Sequence, residues 1–137
     1  MKAYFQEGQN YTQTFNLTES VYKAFQECSK DMNPLHTNKT FAREKGFQDR
    51  VMYGNILNAF ISYFIGETLP TKEVIIHSQE INYKHPVYMN DTLYFQAVTE
   101  GIYESVKAVT FKFKFLNQQR IVVAKGKIQI GILLWIY

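Results

Sequence analysis

The sequence predicts an α+β fold in which a curved antiparallel sheet wraps around one buried helix. Three observations predict it. The segment from about Asn55 to Glu67 contains Ile56, Leu57, Ala59, Phe60, Ile61, Tyr63, Phe64 and Ile65, which leaves almost no polar face. A helix that is apolar nearly all round is a buried one. In Val109-Thr110-Phe111-Lys112-Phe113-Lys114-Phe115 aromatics and lysines alternate strictly, the pattern of a strand with one dry and one wet face. Finally, one strand-like segment precedes the helices and four follow them. Sheet and helix then each cover the apolar side of the other.

Taken in order, residues 11–17 alternate apolar and polar and read as a strand. Thr18 is suited to cap a helix over 19–28, with Glu19 favourable in its first turn. Val21, Ala24, Phe25 and Cys28 fall on one helical face, so Cys28 is expected to be a buried structural thiol. Asn38 caps a short helix through Lys45 that Gly46 stops, with Phe41 and Ala42 as its inward anchors. A loop over 47–53 leads to Gly54 and the buried helix, which Leu69-Pro70 ends. Ile75, His77, Gln79, Ile81 and Tyr83 are expected on one face of the next strand. Residues 93–104 form a strand broken toward its end by Gly101. The strand 109–115 follows, then a turn at 117–119. Val122, Ala124, Gly126, Ile128 and Ile130 line one face of the last strand.

Length and composition narrow the function. The 137 residues suit one domain, 1–137, and with 46% apolar and 16% aromatic residues the chain can build a core. A net charge of +3 on scattered basic residues does not ask for nucleic acid. One cysteine cannot form an internal disulfide, which fits a reducing compartment, and the cytoplasm is the expected location. His36, His77 and His85 have no metal-ligand spacing, and His77 and His85 read as structural or exposed. Met1–Gly8 lacks the pattern of a secretory signal, and the apolar tail 132–137 is too short to cross a bilayer.

The stretch Ser29-Lys30-Asp31-Met32-Asn33-Pro34-Leu35-His36 carries the chemistry. Pro34 has no amide hydrogen and pushes Asn33 out of the α region, so the chain turns here. A turn can bring the Asp31 carboxylate and the His36 imidazole to one small volume, where they could share a water as a general acid–base catalyst does. Without further context such a pair is more often an Asp turn followed by a surface histidine.

That context is a family resemblance. Residues 29–36, followed by Phe41-Ala42, resemble the hydratase motif of the MaoC-like, (R)-specific enoyl-CoA hydratases, which have the hotdog fold. Val51-Met52-Tyr53-Gly54 is similar to the family's segment opening the central helix. Ser62 matches a serine within that helix, and Leu69-Pro70 its end. Tyr83-Lys84-His85-Pro86-Val87, continuing to Leu93, matches a further motif. Lys30 and Asn90 stand where glycine is usual, and Tyr53 where histidine is common.

The resemblance implies reversible addition of water to a trans-2-enoyl thioester to give an (R)-3-hydroxyacyl thioester. Asp31 and His36 would act on the water, and the Gly54 amide would bind the thioester oxygen. Asn33 and Tyr53 would border the substrate, with Asn33 fixing the turn, and Ser62 would orient the pair or line the acyl pocket, with core packing as its alternative. No cofactor is implied beyond the coenzyme A or acyl carrier of the substrate. Two alternatives stand beside this reading: a hotdog thioesterase, which would want a carboxylate on the buried helix, and a catalytically inactive binding subunit. Five or so strands leave free sheet edges, so a homodimer or higher homo-oligomer is expected.

Overall fold

A computed structural model describes residues 4–133. Their order is β1 (Asn10–Asn16), α1 (Glu19–Ser29), α2 (Pro34–Thr37), α3 (Lys39–Glu44), α4 (Ile56–Tyr63), β2 (Val74–Tyr83), β3 (Thr92–Tyr103), β4 (Ala108–Leu116) and β5 (Val122–Ile132). The strands form one antiparallel sheet in the order β1-β3-β4-β5-β2, so β1 and β2 are its edges. This is the expected α+β hotdog arrangement, with α4 against one face of the sheet.

Local chemistry sets the boundaries. The Thr18 hydroxyl accepts from the Val21 N–H at 3.2 Å and starts α1, and Asn38 does the same for α3 through the Phe41 N–H at 3.0 Å. α4 runs into a π-helical turn, Phe64–Thr68, and Leu69, extended before Pro70, ends it.

Aromatic rings fill the space between α4 and the sheet. Phe15 of β1 stacks on Phe60 of α4 at 4.5 Å, and Phe64 meets Phe95 at 4.8 Å and Phe111 at 5.5 Å. Phe111, Phe113 and Phe115 are all buried, as their alternation with lysine requires. The lysines stand on the outer face, where Lys112 and Lys114 lie directly opposite Lys127 and Lys125 of β5.

Three expectations need correction. α4 is not buried all round: Ile56, Leu57, Phe60 and Ile61 face the core, but Ala59, Ser62 and Tyr63 are exposed. Cys28 is exposed, because α1 turns Tyr22 inward, with Phe25 and Gln26 partly covered beside it. In β2 the pairing with β5 shifts between Ile76 and Ser78, a bulge that adds one residue. Ile76, rather than Ile75, therefore shares a face with Gln79, Ile81 and Tyr83, and His77, the extra residue, leaves that face to lie against Gln129 and Gly131. Beyond Leu133 the apolar tail lies outside the described residues.

Candidate active site

The turn between α1 and α2 is built by its own side chains. Lys30 closes α1 in the left-handed region, φ 61°, with its N–H on the Gln26 carbonyl at 2.8 Å. Asn90, at φ 69°, occupies the same region. Both positions where this sequence lacks the family's glycine thus have the backbone that favours glycine, and Asn90 is the milder substitute. Asp31 Oδ1 then accepts the Asn33 N–H at 3.0 Å, and Asn33 Oδ1 accepts the Leu35 N–H at 2.9 Å. Pro34, at the first position of α2, needs no partner for a missing N–H.

These bonds fix which atoms remain for chemistry. With Oδ1 used in the turn, Asp31 Oδ2 is left to face His36 Nε2 at 3.9 Å. His36 Nδ1 lies 2.7 Å from the Val51 carbonyl oxygen, which can only accept. Nδ1 therefore carries the proton, and in the neutral ring Nε2 presents a lone pair toward Asp31. The imidazole is 17% exposed and the carboxylate 44%.

Tyr53 packs behind the pair. Its ring centroid is 4.2 Å from that of His36, and its hydroxyl donates to the Asp31 carbonyl at 2.5 Å. Burial pushes the Tyr53 phenol above the ordinary tyrosine value, so it stays a neutral donor. Gly54 follows immediately. Among the described residues its N–H meets no acceptor, while its carbonyl takes the Leu57 N–H into the first turn of α4.

His36 and Gly54 line one cleft of about 330 Å³, closed by Tyr83, Lys84 and His85 from the end of β2 and floored by apolar Phe47 and Val87. Asp31 is outside the cleft wall and reaches it through His36. Of the residues singled out from the sequence, Asp31, His36 and Tyr53 are in mutual contact, and Gly54 shares the cleft with His36. Asn33 is adjacent, its side-chain oxygen committed to the cap of α2. Ser62 does not line this cleft and stands exposed on α4. Lys84 and His85 were not expected to border the site. His85 is exposed, as read from the sequence, and its Nδ1 lies 3.1 Å from the Val122 carbonyl. Their only signal in the sequence was membership of the 83–93 motif. Among the described residues no group of three His, Cys, Asp or Glu side chains could hold a metal ion.

The model of the MaoC like domain matches residues 2–117. The chain belongs to this family. Among MaoC-like proteins, the (R)-specific enoyl-CoA hydratase of Rhodospirillum rubrum is 32% identical over 106 residues, covering 77% of this chain and 74% of that protein. The (R)-specific enoyl-CoA hydratase of Aeromonas caviae is 27% identical over 104 residues, covering 76% and 78%. A solved (R)-hydratase from A. caviae involved in PHA biosynthesis superimposes with a TM-score of 0.86 at 23% identity, over 93% of this chain and 97% of that one, and shares the MaoC-like fold.

Proposed function

We propose that this MaoC-like protein is a hydro-lyase that adds water reversibly to a trans-2-enoyl thioester, giving the (R)-3-hydroxyacyl thioester. The observation that carries the reading is the 3.9 Å separation of Asp31 Oδ2 and His36 Nε2 beside the unpartnered Gly54 N–H. Two acceptors that far apart can each take one O–H of the same water at about 2.8 Å. The match to two (R)-specific enoyl-CoA hydratases supports the same reaction.

The steps follow from these atoms. The pair removes a proton as the water oxygen bonds to the β-carbon. The π electrons move toward the thioester, and negative charge collects on its oxygen. The Gly54 N–H, at a helix start and clear of any side chain of its own, is suited to stabilise that charge. The proton held by the pair then passes to the α-carbon, and the sum is one added water. The reaction needs no cofactor beyond the carrier of the acyl group.

A thioesterase reading would need a carboxylate on α4. The acid of that segment, Glu67, lies at its far end, exposed and paired with Lys72 at 2.9 Å. The exposed edge of β2, with Ile75 and Ile76, supports a homodimer as the working form. The unpaired Cys28 is in keeping with the cytoplasm. Incubation with crotonyl-CoA tests the function. Loss of the conjugated double bond, with (R)-3-hydroxybutyryl-CoA as product, is expected. Free coenzyme A would favour the thioesterase, and no turnover the binding subunit.

A further inference from the structure

We infer that Gln26 is a positioning residue for hydration, acting through Tyr22 and Tyr53 on the two ends of the Asp31–His36 turn. The inference rests on the reading of Asp31 and His36 as the catalytic pair. Gln26 Nε2 donates to the Tyr22 hydroxyl at 3.1 Å and to the Tyr53 hydroxyl at 3.2 Å. Tyr22 donates in turn to the His36 carbonyl at 2.8 Å, and Tyr53 to the Asp31 carbonyl at 2.5 Å.

The direction of every proton in this network is fixed. A carbonyl only accepts, so each phenol must spend its single proton on one. Each phenol oxygen is then an acceptor, and the Gln26 amide supplies both of its hydrogens. One side chain therefore holds two phenols in place, and the phenols hold the main-chain carbonyls of the two residues whose side chains face each other.

The surroundings make this tether rigid. Tyr22 and Tyr53 are 5% and 3% exposed and their rings stack at 5.6 Å. The turn's own bonds, by contrast, are local and open to water. None of the three network residues lines the cleft, Tyr53 included although the resemblance set it beside the substrate, so little effect on substrate binding is expected of them. Their effect has to appear in the placement of Oδ2 against Nε2, where an error of about 1 Å can cost ~10² in rate.

The experiment compares Gln26→Leu and Gln26→Glu with the parent protein in crotonyl-CoA hydration. The glutamate is the sharper probe. A carboxylate accepts, so both phenols would turn to it and abandon the carbonyls. Each variant is expected to lose about 10- to 100-fold in kcat with KM nearly unchanged. In an Asp31→Asn background the further loss from Gln26→Leu is expected to vanish, because the network works through the pair. Should the Gln26 variants fail to fold, Tyr22→Phe and Tyr53→Phe, which keep the packed rings, carry the test with the same expected split. An unchanged kcat in folded variants overturns the inference. So does a loss of the same size in the Asp31→Asn background. Full activity of Asp31→Asn alone would instead overturn the reading of the pair.

Discussion

Replacing Gly54 with valine separates its chemical role from its structural one. A Cβ built on Gly54 would lie 2.9 Å from Tyr83 Cε1 and 3.3 Å from Cδ1 and Cζ. Ordinary carbon contacts begin at about 3.5 Å, so the Tyr83 ring must retreat by roughly half an ångström or more. It has somewhere to go, being 48% exposed. Its hydroxyl is held by Asn55 and Asn58 at 3.2 and 3.3 Å, long bonds near the surface. Losing them costs about 1 kcal/mol in stability. Gly54 is not in the left-handed region, so the backbone adds no strain of that kind. The branched side chain instead covers the approach to the free N–H, and the loss of one oxyanion donor costs on the order of 10²–10³ in kcat. Hydration of crotonyl-CoA and thermal unfolding are measured on Gly54→Val, Tyr83→Ala and the double variant. The double variant should recover stability, since the clash is gone, without recovering the rate lost through Gly54. A folded Gly54→Val protein with full kcat would refute the assignment of this amide. So would a rate restored merely by making room at Tyr83.

Asp31→Asn and His36→Ala should each lower hydration by ~10²–10⁴, and the double variant should be little worse than either, because both act on one water. Steady-state kinetics on the folded variants check this. Sedimentation at micromolar concentration should show a dimer, and a charge placed at Ile76 on the exposed edge should shift it toward monomer. Alkaline pH should destabilise the protein above the ordinary tyrosine value of 10.0. There the unfolded Tyr53 phenol loses its proton while the buried one keeps it, so the folded state binds more protons and stability falls as pH rises. Tyr53→Phe should flatten that fall in a pH series of denaturant titrations.

The element order was legible because each boundary has a local cause. Thr18 and Asn38 cap, Pro70 stops, and the Phe/Lys alternation admits only a strand. The Asp31–His36 approach was legible for the same reason, since Asn33-Pro34 forces the turn. What hydropathy does not reveal is a polar side chain put to use inside. The inward side of α1 carries Tyr22 and Gln26, whose partners lie on α2 and just before α4, so counting apolar residues chose the side with Cys28 instead. The bulge in β2 has no local signature, because apolar alternation does not mark where one strand sets an extra residue against its partner. Ala59 and Tyr63 are apolar yet exposed, since an apolar helix face is covered only where something lies against it. Lys84 and His85 border the cleft because the segment after β2 is held to the one before α4, the Met52 N–H on the Val87 carbonyl at 2.8 Å, a long-range pairing that no local pattern encodes.

The two lysine pairs facing each other across β4 and β5 have a thermodynamic consequence. Like charges directly opposite on neighbouring strands repel. Two of the four have a carboxylate nearby, Lys112 with Glu100 at 3.4 Å and Lys127 with Glu80 directly opposite it on β2, so the positive excess falls on Lys114 and Lys125. The outer face of the sheet is thus under electrostatic tension that dissolved ions relieve. At about 0.01 M salt the screening length is roughly 30 Å and the excess positive charge repels across the face; at 0.15 M it is about 8 Å and the longer-range repulsion fades. The surface ion pairs that salt would weaken contribute little to begin with. Raising ionic strength should therefore stabilise this face slightly, and a thermal-unfolding midpoint that does not rise between about 0.01 and 0.15 M salt would refute it.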